Sequence, residues 1–235
     1  MSIRALFLGL VAVVVGTTAK STASQTVPIP TQRQLDWMDM EIGAMITWNV
    51  QTICSLKGGP RAVSNQRCQK GSAKGALYLP TPEATAEWNP SKLDTDQWAQ
   101  AAVSFGAKYI VLVADHMAGF ALWDTKLHNY SITNTQRGGD VVRELLASCR
   151  KVGLKLGFFY SVHFNWWVGL DSFRLNAVPP LGGDSYRNMT YERFTSIAAA
   201  QLNELLDIWE EDQERNAANN GTDSAFEIWF DGGTG

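Results

Sequence analysis

The sequence predicts an α/β fold on a parallel sheet, a (β/α)8 TIM-like barrel of which about the first four strands are present. Three observations carry this. Strand-like apolar runs alternate with amphipathic helical segments along most of the chain. The runs are apolar on both faces, as parallel strands covered on both sides are. Polar or ionisable residues follow the strands at their C-terminal ends: Asp115 with His116, His163 and Asp231. The same alternation could wind open, but no Gly-x-Gly-x-x-Gly turn follows the first strand, which favours the barrel.

The elements read as follows. Residues 1–23 carry Arg4, the apolar run Ala5 to Val15 and then small residues, the pattern of a secretory signal peptide with cleavage after Ala19 or Ala23. The run is shorter than the roughly 20 residues of a membrane span. Residues 24–235 are then one unit, the N-terminal portion of a barrel. A polar lead-in from Gln25 to Arg33 precedes the first strand, Gly43 to Trp48. Gln51 to Pro90 is irregular and rich in Gly, Pro, Ser and Lys, too long for an idle loop. A helix capped by Asp94 or Thr95 places Trp98, Ala101, Ala102 and Phe105 at helical spacing, with Gly106 at its end. Tyr109 to Val113 forms the second strand. Asp140 caps the next helix, with Val141, Val142, Leu145, Leu146 and Cys149 on one side and Gly153 past the end. A third strand lies at 154–162, a long helix runs from Thr190 to Glu211, and a fourth strand, Phe226 to Asp231, delivers a carboxylate onto a glycine-rich turn.

Composition narrows the function. A chain of 235 residues with 45% hydrophobic content, 18% charge and a net charge of −3 has an ordinary globular core and no basic surplus. Nucleic acid and anionic membrane are therefore not expected as partners. Three sequons, at Asn129, Asn188 and Asn220, fit an exported protein, outside the cell or in a lysosome-like or vacuolar compartment. In an oxidising compartment Cys54 and Cys68 could close a loop, leaving Cys149 on a helix. Neither the cysteines nor the three histidines have metal-ligand spacing.

The strand ends carry the chemistry. Asp231 reads either as a turn or capping residue or, in a cleft, as the nucleophile of double-displacement glycoside hydrolysis. His116 reads as a structural histidine or as a ligand-facing donor, with Gly119, Phe120 and Trp123 beyond it. His163 stands beside Phe164, Trp166 and Trp167, an aromatic setting that suits a sugar's apolar face and equally suits packing. The nine tryptophans divide between the same two uses.

One stretch goes further. EWNPSKLDTDQWAQAAVSFGAKYIVLVADHMAGFALWDTKLHNYSI, Glu87 to Ile132, closely resembles the corresponding segment of glycoside hydrolase family 29 α-L-fucosidases. EIGAMITWNV resembles that family's first strand, GLKLGFFYSV its third, and EIWFDGG the fourth strand, which ends in the nucleophile. The likeness runs from about Leu35 to the C-terminus.

The resemblance implies an exported retaining α-L-fucosidase acting on fucosylated glycans or glycoconjugates, with no metal or organic cofactor. It implies Asp231 as nucleophile and His116 as donor to fucose hydroxyls, and Trp48 matches the tryptophan of the family's first-strand motif; Trp123 and His163 join them as substrate-facing candidates from their own setting at the strand ends. It also implies a fragment, because the family's acid/base residue lies downstream of the nucleophile. Three positions depart from the pattern: Thr47 and Met117 stand where the family has histidines, and Asp115 where it has a lysine. These changes keep a second reading open, a non-catalytic carbohydrate-binding relative with a drifted subsite.

Overall fold

A computed structural model describes residues 28–51, 54, 68–70, 78–217 and 225–232. The leader-like segment 1–23 and the sequon at Asn220 lie outside the described residues.

Thr31 opens the first helix, α1 (Gln32–Met38), through a capping box in which Gln34 N–H donates to the Thr31 hydroxyl and the Gln34 side chain accepts from Thr31 N–H. Strand β1 (Gly43–Ile46) follows. Within the stretch expected to be irregular, β2 (Cys68–Lys70) and β3 (Tyr78–Pro80) pair antiparallel, and Thr81 caps the short helix α2 (Pro82–Ala86). Asp94 caps α3 (Thr95–Ser104) by accepting from Gln97 N–H. β4 (Tyr109–Asp115) leads, after a long loop, to α4 (Val141–Val152). The α4 helix starts on Asp140, which accepts from Arg143 N–H, and stops at Gly153 in the left-handed conformation, φ 75°. β5 (Lys155–Ser161), α5 (Tyr191–Ala217) and β6 (Ala225–Asp231) complete the series.

The four longer-range strands form one parallel sheet in the order β1-β4-β5-β6, which is chain order with the hairpin left aside. The architecture is mixed α/β with a parallel sheet. Right-handed crossovers between strands in consecutive order put every connecting helix on the same face. That face holds the core. Ile110, Leu112, Leu156, Phe158 and Tyr160 from the strands meet Ala99, Ala102, Leu145, Cys149, Leu205 and Trp209 from the helices, all buried. Phe158 stacks on Trp209 at 4.6 Å.

Polar contacts link the helices to one another. Thr95 and Ser148 hydroxyls pair at 2.8 Å between α3 and α4, and Ser148 donates to Asp96 at 2.6 Å. Arg143 pairs with Glu211, and Arg150 with Asp212, between α4 and α5. The opposite sheet face is more open: Met45 is 48% and Trp229 41% exposed. Cys54 is disulfide-bonded and Cys149 is a free, buried thiol whose burial pushes its pKa up to about 12. Cys149 thus stands outside the bridge, as expected; the side chain of Cys68 lies outside the described residues.

Phe158 joins the sheet to α5, so Phe158→Ala should cost about 3–5 kcal/mol of unfolding free energy. Urea denaturation followed by tryptophan fluorescence measures this directly.

Candidate active site

The site begins with an irregularity in β4. Val113 pairs with Phe159, but the next registered partner of Tyr160 is Asp115, so Ala114 is an extra residue in the ladder. Its carbonyl does not go to waste: Leu122 N–H donates to it at 3.1 Å. The consequence is a change of face. Asp115 lies on the Tyr160 side, toward the helices, and His116 lies on the side of Phe159, its ring 5.8 Å from that ring. A tight turn closed by Gly119 N–H to His116 O, 2.9 Å, then carries the chain away. Gly119 adopts φ 72°, and a Cβ there would overlap the Asn165 side chain.

On the far side of β5, Ser161 pairs with Asp231 at the end of β6. Phe159 and Asp231 therefore share the face that receives His116. Asp231 and His116 interact electrostatically: burial holds the His116 imidazole below the usual histidine range, and the Asp231 charge offsets part of that. His163 packs against Gly232, the residue that follows Asp231. Val162 N–H donates to Asp231 O at 3.2 Å, and Gly232, at φ 85°, lies so close to the His163 Cβ that a side chain at 232 would overlap it. The His163 ring is held between Phe164 at 4.2 Å and Phe173 at 3.8 Å.

The structure thus brings together Asp231, His116 and His163. It does not bring Trp123 to them. Trp123 is fully buried and its indole N–H donates to Glu204 of α5 at 2.8 Å, because the Leu122 bond to the bulge draws this segment toward the helices. Trp48 is half-buried and stacks on Trp88 at 4.7 Å. It heads a chain of rings: Trp88 meets Phe120, Phe120 meets Tyr130, and Tyr130 stacks on Trp167 at 4.3 Å. Of the departures from the family pattern, Thr47 is exposed and Met117 packs against the core. Asp115, expected at a strand end beside the site, is instead turned inward. Gly232 is the first residue of the glycine-rich turn read from the sequence, whereas Phe159 and Phe173 belong to the neighbourhood without having been singled out; the alternation of Phe159 with Ser161 could have signalled the former.

Beneath the strand ends lies a buried polar group. Tyr160 donates to Gln201 at 2.6 Å, and Gln201 and His128 side chains meet at 3.0 Å. Burial drives the His128 pKa down to about 4. Asp115 is 1% exposed, and among the described residues neither carboxyl oxygen has a hydrogen-bond partner. Burial raises its pKa well above the ordinary carboxyl value. Its nearness also raises the pKa values of Tyr130 and Tyr160, after burial itself.

A separate cleft of about 590 Å³ lies between α3 and α4, lined by Lys92, Asp94, Asp96, Glu144, Ser148 and Lys151. It is on the helix layer, and Asp96 is already engaged by Ser148 and Lys151. Among the described residues no three His, Cys, Asp or Glu side chains gather as a metal site, and no helix is long and apolar enough to cross a membrane.

A model of the alpha-L-fucosidase family matches residues 18–214. Alpha-L-fucosidase 1 of Arabidopsis thaliana is 29% identical over 137 residues, 57% of this chain and 23% of that protein. Plasma alpha-L-fucosidase of Homo sapiens is 36% identical over 76 residues, 32% of this chain and 16% of that protein. Among solved structures, alpha-L-fucosidase isoenzyme 1 from Paenibacillus thiaminolyticus has a TM-score of 0.59 at 26% identity, covering 87% of this chain and 44% of its own. A Lactobacillus casei alpha-L-fucosidase in complex with alpha-L-fucose product has a TM-score of 0.61 at 22% identity, covering 86% and 61%, a likeness of fold alone. The chain spans less than a quarter of the length of these two curated relatives.

The two buried titrating groups act on stability in opposite directions. His128 has a depressed folded pKa, so the unfolded chain binds the proton more readily between about pH 4 and 6.5, and stability falls as pH drops through that window. Going from neutral pH to about pH 5 should cost about 2 kcal/mol, and His128→Gln should flatten this limb in urea titrations. Asp115 has a raised folded pKa, so its contribution is fully present below the ordinary value of 3.8 and is lost as pH rises. Asp115→Asn should therefore raise the neutral-pH melting temperature, a gain that vanishes in acid.

Proposed function

The chain belongs to the alpha-L-fucosidase family, and from that premise we propose that it forms the N-terminal portion of the (β/α)8 catalytic barrel of a retaining α-L-fucosidase. The observation that carries the reading is the placement of Asp231 at the C-terminal end of β6, facing His116 from the end of β4. Barrel enzymes keep their reacting groups at that end of the sheet. A consecutive parallel order with helices on one face supports the barrel over an open, doubly wound sheet, whose order reverses.

In this reading Asp231 Oδ attacks the anomeric carbon of a terminal α-L-fucoside, and the bond to the leaving oxygen breaks as a second carboxyl group protonates it. Water then cleaves the fucosyl ester, restoring Asp231. The approach from β6 leaves His116 beside the sugar, where its half-buried imidazole donates to a hydroxyl. Desolvation keeps that ring neutral near neutral pH, so it offers one N–H and no charge. His163 packs against the Asp231–Gly232 turn. The second carboxyl group is assigned to none of the described residues: Asp115 is turned inward, and Glu227 accepts from the Trp37 indole. Export and glycosylation belong to the same proposal, supported by the leader-like segment, the sequons and the disulfide at Cys54.

A fluorinated fucosyl fluoride tests the nucleophile independently of the second carboxyl group, because fluoride departs unprotonated. The 235-residue chain should gain one fluorofucosyl mass on the peptide containing Asp231. Asp231→Asn should abolish labelling and slow fluoride release by about 1,000-fold or more. Labelling at another residue removes Asp231 from the role; sugar binding with no label marks a non-catalytic relative.

A further inference from the structure

Ser172 and Phe173 are consecutive non-glycine residues in the left-handed region, φ 51° and 63°. Side chains rarely adopt this conformation once, and two in succession need an external hold. The hold is present. Asp171 and Arg174 exchange both backbone hydrogen bonds at 3.0 Å, the Ser172 hydroxyl donates to Asp171 at 2.8 Å, and Tyr191 OH donates to Phe173 O at 2.6 Å. Phe173 N–H donates to His163 O at 3.1 Å. This turn fixes one side chain. The Phe173 ring lies nearly parallel to the His163 ring, 3.8 Å and 15° apart, while the residue remains 37% exposed.

A lone exposed phenylalanine needs no explanation. This one is strained into place and stacked on His163, whose Cβ packs against Gly232, the residue that follows the candidate nucleophile. His163 covers one face of the ring, and the residue as a whole keeps 37% of its surface exposed. The backing stack, Phe173 on His163 on Phe164, makes a rigid flat wall. The exposed Phe173 ring offers no hydrogen-bond donor to the hydroxyls of the fucose itself.

We propose that Phe173 is a specificity-determining residue for the leaving group, its exposed ring surface forming a subsite for an aglycone with a flat apolar surface. This rests on the reading of Asp231 as the reacting carboxylate. Flat apolar surface comes from an aryl group or from the apolar face of a hexopyranose, and stacking on Phe173 serves either. The methyl group of a methyl fucoside is too small to span the wall.

Binding on the full chain carrying Asp231→Asn, which removes turnover, separates these contributions. Calorimetric titrations use methyl α-L-fucoside, 4-nitrophenyl α-L-fucoside and α-L-fucosyl-(1→2)-galactose, in the Phe173 parent and in Phe173→Ala and Phe173→Tyr. The aryl ligand should bind the parent roughly 3- to 10-fold more tightly than the methyl fucoside. That preference should disappear in Phe173→Ala and survive in Phe173→Tyr, with the methyl fucoside affinity unchanged in all three. A matching preference for the galactoside identifies a sugar as the occupant; a preference confined to the aryl ligand identifies an aromatic one. An aryl preference untouched by Phe173→Ala, absent from the parent, or lost together with methyl fucoside binding overturns the inference. Failure of the parent to bind methyl α-L-fucoside overturns the fucoside site itself, and this subsite with it.

Discussion

The extra residue at Ala114 is the constraint from which the site follows. In an unbroken ladder Asp115 would stand on the open face and His116 would point into the helix layer. The bulge reverses both. A charged carboxylate is exchanged for an imidazole beside Asp231, which replaces a like-charge repulsion with a hydrogen-bonding group. The exchange is stabilised by one backbone bond, Leu122 N–H to the bulged carbonyl, and that bond also sets the path of the loop that buries Phe120 and Trp123. Bulges recur beside active sites because they re-aim a side chain without altering the rest of the strand.

The cost falls on Asp115, which ends near Tyr130 and Tyr160 with no hydrogen-bond partner among the described residues. A buried carboxyl of this kind is tolerated only as the neutral acid. The aromatic chain from Trp48 to Trp167 provides the surroundings that can bear it: large rings contribute dispersion and area without offering a competing charge. Tryptophans that composition alone could assign to sugar contact are, at positions 48, 88, 123 and 167, engaged in packing the loops onto the core.

Much of the fold was legible because its signals are local. Asp94, Asp140 and Gly153 mark helix ends by hydrogen bonds that reach only three residues, and each does so in the structure. Helix α1 carried an equally local signal, Thr31 with Gln34, in a segment that read as a polar lead-in; the capping box was there to be seen. The facing of β4 was not legible. From Ile110 to Ala114 every residue is apolar and buried, so no alternation shows which way any of them points, and a shifted register leaves no mark. The pairing of His163 with Phe173 was hidden for a different reason. Ten residues separate them, and the turn that joins them uses Ser and Phe where a turn signal would be Gly or Asn.

Helix α1 and strand β6 are joined by a bond from the Trp37 indole N–H to Glu227 at 2.9 Å, across 190 residues. Such a contact adds a loop-closure cost that local helix caps do not have. Its partner also arrives late. A ribosome adding roughly 5–20 residues per second needs about 10–40 s to pass from the first residue to the second. For that time α1 is already made while its distant acceptor does not yet exist, so the settling of the N-terminal helix is timed by the synthesis of the strand that carries Asp231.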